Sequence, residues 1–128
     1  MRGLTLSAAT AVLAILAVSV PLPAHHADNM YDREHPITLR GTVTEYEFIN
    51  PHPHVYLDVK DSNGKVEKWI AESGSAPSRM YNMGWKANAL KRGDVVTVTG
   101  SPAKDGRKIL RIQKMVAPGG QVWTEAPI

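Results

Sequence analysis

From residue 37 the chain alternates. Ile37, Leu39, Gly41 and Val43 fall on one parity and Thr38, Arg40, Thr42 and Thr44 on the other, and the run continues through Tyr46 and Phe48. A repeat of two is the side-chain period of a strand with one buried face. Asn50-Pro51-His52-Pro53-His54 interrupts the run, after which Val55, Leu57 and Val59 alternate with Tyr56, Asp58 and Lys60. Asp61-Ser62-Asn63-Gly64 reads as a hairpin turn, because Asn and Gly take positive φ at little cost. It predicts a third strand from Val66 to Glu72, with Trp69 in it.

Then the period changes. Ser75 is placed to cap a helix with Pro77 in its first turn, Met80 and Met83 form its apolar side, and Gly84 ends it in a left-handed conformation. The turn Lys91-Arg92-Gly93-Asp94 leads into a strand, Val95 to Gly100. A loop from Ser101 to Arg107 precedes the last strand, which holds Ile109, Leu110 and Ile112 and extends towards Met115 and Val116. Three strands, a short helix and two strands is the order of the OB-fold. The prediction is an all-β domain: a small five-stranded OB-fold-like Greek-key barrel with one short helix between strands 3 and 4. An open antiparallel sheet is the rival architecture. Gly41 and Gly100 suit tightly curved strands. The predicted core is Leu39, Val43, Leu57, Val59, Trp69, Val96, Val98 and Ile112. The barrel is assigned to 37–117, an irregular segment to 25–36, and a Gly/Pro-rich tail to 118–128, with Trp123 as a late anchor.

Residues 1–24 have a different character. Arg2 precedes an apolar stretch from Leu4 to Val20, Pro21 and Pro23 break any helix, and small Ala24 follows. This is the pattern of a cleavable signal peptide; the alternative is an uncleaved N-terminal anchor. The apolar run is short for a bilayer, and no Lys/Arg cluster follows it. The expectation is therefore a periplasmic or secreted protein with no membrane span after cleavage. The 15 Lys and Arg against 12 Asp and Glu give a formal charge of +3, which falls to +2 when Arg2 leaves with the leader. So weak a charge gives no footprint for nucleic acid, and export argues the same way. The chain has no cysteine, which excludes disulfides, thiol catalysis and thiolate metal sites. Burial, sheet closure or a bound ligand must stabilise the fold.

The histidines carry the candidate chemistry. All 5 lie between residues 25 and 54. Cleavage after Ala24 would make His25 the mature N-terminus, with an amine and an imidazole on one residue. Such nitrogen donors suit Cu(II), Ni(II) and Zn(II). His26 adjoins it, and His52 and His54 sit two apart in a proline-stiffened loop whose ordering entropy is already reduced. His25, His26, His52 and His54 are the candidate metal ligands, with copper the first choice of transition metal. The competing reading is a solvated N-terminus and loop histidines that bond backbone groups. His35, before Pro36, is expected at the surface.

The sequence contains no nucleophile–base pattern and no phosphate loop. Asp58, Asp61 and Glu72 read as solvated carboxylates. Trp69, Trp85, Tyr46 and Tyr56 read as core packing in preference to an aromatic platform. Lys104, Arg107 and Lys108 lie in the loop between strands 4 and 5, as a charged turn or as a contact for an acidic ligand. The leading expectation is a non-enzymatic protein that binds a small ligand or metal ion, most concretely a copper-binding or carrier protein. One alternative is an interaction module that meets an envelope protein partner or an anionic glycan through the strand 1–2 and strand 4–5 loops. The other is a copper-dependent oxidase with an N-terminal histidine brace.

Several stretches also resemble one family. They are His25-His26 after the leader, Ile37 to Thr44, Asn50-Pro51-His52, Leu57 to Asp61, Gly84-Trp85, and Leu90 to Gly100. Together they are similar to small exported bacterial proteins known only as a domain of unknown function, over nearly the whole mature chain. Ala27 stands where that family usually has Ser, and Pro53-His54 where an aromatic often follows Asn-Pro-His-x. The resemblance implies export and the fold, and supplies no activity.

Overall fold

The computed structural model describes residues 29–125. The signal peptide expected over 1–24, and His25 and His26, lie outside the described residues. Strands β1 (Ile37–Glu47), β2 (His54–Lys60) and β3 (Val66–Glu72) are followed by helix α1 (Pro77–Asn82), then β4 (Val95–Pro102), β5 (Ile109–Val116) and β6 (Val122–Thr124). β1 pairs antiparallel with both β2 and β4, β2 with β3, and β4 with β5. Parallel pairing of Ile70–Glu72 with Ile109–Arg111 joins β3 to β5. The result is a closed, five-stranded mixed barrel with a short helix between β3 and β4, an all-β OB-fold-like architecture.

Small residues permit the curvature. Gly41 pairs with Val59 on one side and Val96 on the other, and a Cβ there would stand 2.9 Å from Val59 Cγ2. At Gly100, beside a register shift in the β4–β5 ladder, a Cβ would stand 2.2 Å from the Arg111 carbonyl oxygen. Bulges of this kind bend a strand and increase its twist.

Val43, Leu57, Val59, Trp69, Val96, Val98 and Ile112 are buried as the alternation predicts, and Leu39 is partly buried against them. Two apolar anchors come from outside the predicted strands. Trp123 on β6 is buried, with its ring centroid 5.6 Å from that of Trp85. Tyr31, in the segment expected to be irregular, is buried and forms a bridge to Ala103. The Glu125 carboxylate ties the chain beyond β6 to the β3–α1 turn: it accepts from Ser73 Oγ at 2.6 Å and from the N–H groups of Gly74 and Ser75 at 2.9 and 3.0 Å.

The helix departs from expectation at two points. Its N-cap is Ala76, without a side-chain cap, because Ser75 is occupied by Ser73: its N–H donates to Ser73 Oγ and its carbonyl accepts from it. Met80 is buried but Met83 is 38% exposed. The left-handed turn at Gly84 (φ +89°) carries the chain past Met83 and delivers Trp85 to the core. In the β2–β3 hairpin Gly64 takes positive φ and Asn63 does not; Asp61 Oδ1 holds the turn by accepting from the N–H groups of Asn63 and Lys65. The Asn50–Pro51 peptide is cis.

Candidate functional site

The strand parity that buries Val55, Leu57 and Val59 sends His54, Tyr56 and Asp58 to the outer face of the barrel. Register then sets His54 opposite Glu47 on β1 and Glu72 on β3. The three side chains form a row, with His54 Nδ1 3.5 Å from Glu47 Oε2 and Nε2 3.6 Å from Glu72 Oε1. The Tyr56 hydroxyl extends it by donating to Glu47 Oε2 at 3.0 Å. At the other end, Glu72 accepts from the Tyr31 hydroxyl and lies 3.7 Å from Arg111 Nη2. The Arg111 guanidinium sits 5.0 Å from the centre of the Tyr31 ring. Burial, then the Glu72 hydrogen bond and charge, push the Tyr31 hydroxyl up to about 12. Glu72, expected to be solvated, is thus the junction that pins the N-terminal segment to the barrel.

The histidine expectation divides accordingly. His54 belongs to β2 and not to the preceding loop, and its two nitrogens face carboxylates on opposite sides. His52 does lie in the loop, half-buried, and its Nδ1 is buried with no hydrogen-bond partner among the described residues. No group of three or more His, Cys, Asp or Glu among the described residues is placed to hold a metal ion. His35 is exposed, as expected, with its Nδ1 3.0 Å from Asp32 Oδ2. Its side-chain hydrogen bond lowers the Asp32 carboxyl below the usual range.

Beyond Tyr56 the same outer face deepens into a cleft of about 360 Å³, bounded by β2, β3 and the loop between β4 and β5. Tyr56, Ile70 and Ile109 line it together with Trp69, and Lys68, Arg107 and Lys108 stand around it. Lys108 Nζ is 5.1 Å from the centre of the Trp69 ring. Each cation has an acidic neighbour: Lys68 with Asp58 at 3.2 Å, Arg107 with Asp105 at 2.8 Å, Lys108 with Glu67 at 3.3 Å. Lys104, grouped with these cations in the sequence, turns away towards the N-terminal segment, its Nζ 3.4 Å from Asn29 Oδ1. Of the four aromatics weighed as a platform, Tyr56 and Trp69 border the cleft, while Trp85 is fully buried. The cleft could not be located from sequence, because it requires β3 and the β4–β5 loop to meet across the barrel closure. The charges of Arg107 and Lys108 were the available signal.

Fold and face together define a class: OB-fold-like barrels with a cleft on the strand 2–3 surface, bordered by a loop of the barrel. Within it, the chain belongs to a family of unknown function, DUF6152, whose profile matches residues 12–110. None of the curated proteins matches the chain. Among solved structures, a chain in the crystal structure of a TiaS–tRNA–ATP complex is similar, with a TM-score of 0.46 and 24% identity. The match covers 68% of this chain and 19% of that one.

Proposed function

We propose that this is an exported, non-catalytic protein that binds a small ligand on the outer face of β2 and β3, beneath the β4–β5 loop. The cleft bounded by Tyr56, Ile70 and Lys108 carries the reading. It combines a concave apolar surface with a few charged groups, the composition of small-molecule sites in general. It also lies where OB-folds hold their ligands. The leader-like residues 1–24 support action in the periplasm or outside the cell. The test is a ligand screen by thermal shift on the processed protein, repeated on Ile70→Arg. Ligands of this cleft raise the melting temperature of the parent protein by linkage and lose that effect in the variant. Hits that stabilise both proteins equally would place the ligand elsewhere.

A second reading, copper bound by His25, His26 and His52, is favoured by the buried, unpartnered Nδ1 of His52. Neutral imidazole nitrogen is a good copper ligand. A copper titration of the processed protein should show weaker binding in His52→Ala, and equal affinity would overturn this reading.

A further inference from the structure

We propose that the cleft between β2, β3 and the β4–β5 loop takes a small organic anion with an apolar body, a single-ring aromatic carboxylate being its simplest form. The proposal rests on the reading of this cleft as the ligand site and adds the chemistry of what it takes.

Size gives the first constraint. At about 360 Å³ the cleft is at the lower end of ligand pockets, which run from roughly 300 to 1,000 Å³, so it suits one ring and not an oligomer. Charge gives the second. Lys68, Arg107 and Lys108 all line the cleft, and no carboxylate does. The acidic neighbours of these cations, Asp58, Asp105 and Glu67, are not among the lining residues. The cations of all three pairs are exposed, with Asp58 and Glu67 half-buried beside theirs, and ion pairs at the surface are weak and easily exchanged. An incoming carboxylate can therefore take over a cation from its present partner, and Arg107 can offer it a two-pronged contact.

The third constraint is the shortage of neutral hydrogen-bonding groups. The uncharged polar groups lining the cleft are the Thr44 and Tyr56 hydroxyls and the Trp69 indole N–H, of which Tyr56 already donates to Glu47 and Trp69 to Glu67. A buried sugar needs a partner for each hydroxyl, because an unpaired buried polar group is costly. The cations of this wall can donate to sugar oxygens but accept nothing, and few acceptors remain for the hydroxyl hydrogens, which disfavours a glycan. The apolar surface of Tyr56, Ile70 and Ile109 suits the flat face of an aromatic ring. Lys108, already held against the Trp69 ring, stands at the edge of that surface where a carboxylate would project.

The experiment is a two-dimensional NMR titration of the protein with benzoate, glucuronate, benzyl alcohol and inorganic phosphate. Benzoate should shift the resonances of Tyr56, Trp69, Ile70 and Lys108. Glucuronate, benzyl alcohol and phosphate should bind at least about tenfold more weakly, the factor expected for loss of one charged or apolar contact. Arg107→Gln with Lys108→Gln, both at exposed positions, should weaken benzoate by about tenfold or more at an unchanged melting temperature. If glucuronate or phosphate matches benzoate at the same residues, the aromatic-acid assignment is overturned and the cleft remains the site. If benzyl alcohol matches it, or the double variant binds benzoate normally, the cations play no part and the assignment is also overturned. If none of the four probes shifts the cleft resonances, the assignment fails. If the benzoate shifts map to another surface, the reading of the cleft fails with it.

Discussion

Glu125 is a single carboxylate with three donors. Ser73 is wholly buried; its hydroxyl and the Ser75 N–H retain a bond within the turn, but loss of the carboxylate removes one partner from each and leaves the Gly74 N–H without its acceptor. Leaving buried polar groups unsatisfied costs about 1–3 kcal/mol, and Glu125→Ala should lower stability by that amount in urea unfolding. A change within experimental error would show that water replaces the carboxylate freely. Nothing in the sequence announced this tie, because Glu125 follows a Gly/Pro-rich stretch with no periodicity and its partners are far away along the chain. His54 is the opposite case. It shares the parity of Tyr56 and Asp58, so its outward direction was legible in the strand pattern, but the Pro-His-Pro-His run drew it into the loop. Its pairing with Glu47 and Glu72 needed the register, which alternation alone does not give.

At the level of elements, the strands that alternate and end in turn residues were legible, since both their period and their punctuation are local. β3 runs from Val66 to Glu72 as expected, fixed by the turn at Asp61–Gly64 before it. β6 was not legible as a strand. It has three residues, too few to show a period, and its existence depends on Trp123 reaching the core beside Trp85. Trp123→Ala should therefore remove β6 from the sheet and destabilise the protein by about 3–5 kcal/mol, as for other buried Trp truncations. A loss below about 0.5 kcal/mol, the range of surface sites, would mean that β6 contributes nothing to the core. The helix was legible in place but not in its cap, because the signal of a cap-forming serine says nothing about a neighbouring serine that binds it first.

The whole molecule carries an alkaline sensitivity. Burial raises the Tyr46 hydroxyl to about 12, and burial with Glu72 does the same for Tyr31, from an ordinary value of 10.0. Between those values the unfolded chain loses these protons and the folded chain keeps them, so the unfolded state binds fewer protons and stability falls as pH rises. The contribution is fully present below pH 10 and is lost as pH climbs towards about 12. The urea midpoint should decline over that window, and Tyr31→Phe should make the decline shallower. A flat midpoint in the parent protein would contradict the burial of both hydroxyls. Barrel closure also belongs to this scale. The element order implied it, but the residues on either side of the seam carry no mark of each other in the sequence.

The seam itself has a consequence for how the chain reaches its native state. β1, β2 and β3 pair in sequence order, whereas Ile70–Glu72 must find Ile109–Arg111 with α1 and β4 in between. Contacts of high sequence separation are entropically slow to form, so the meander should assemble early and the seam close late. Truncations should then divide kinetically. Leu57→Ala should chiefly slow folding, while Ile109→Val should chiefly speed unfolding, a division that stopped-flow chevrons measure directly. A seam substitution that slowed folding as much as one in the meander would reverse that order. With the order as expected, β3 and β5 part early when the native protein opens, and a ligand held in the proposed cleft beside them would slow unfolding itself.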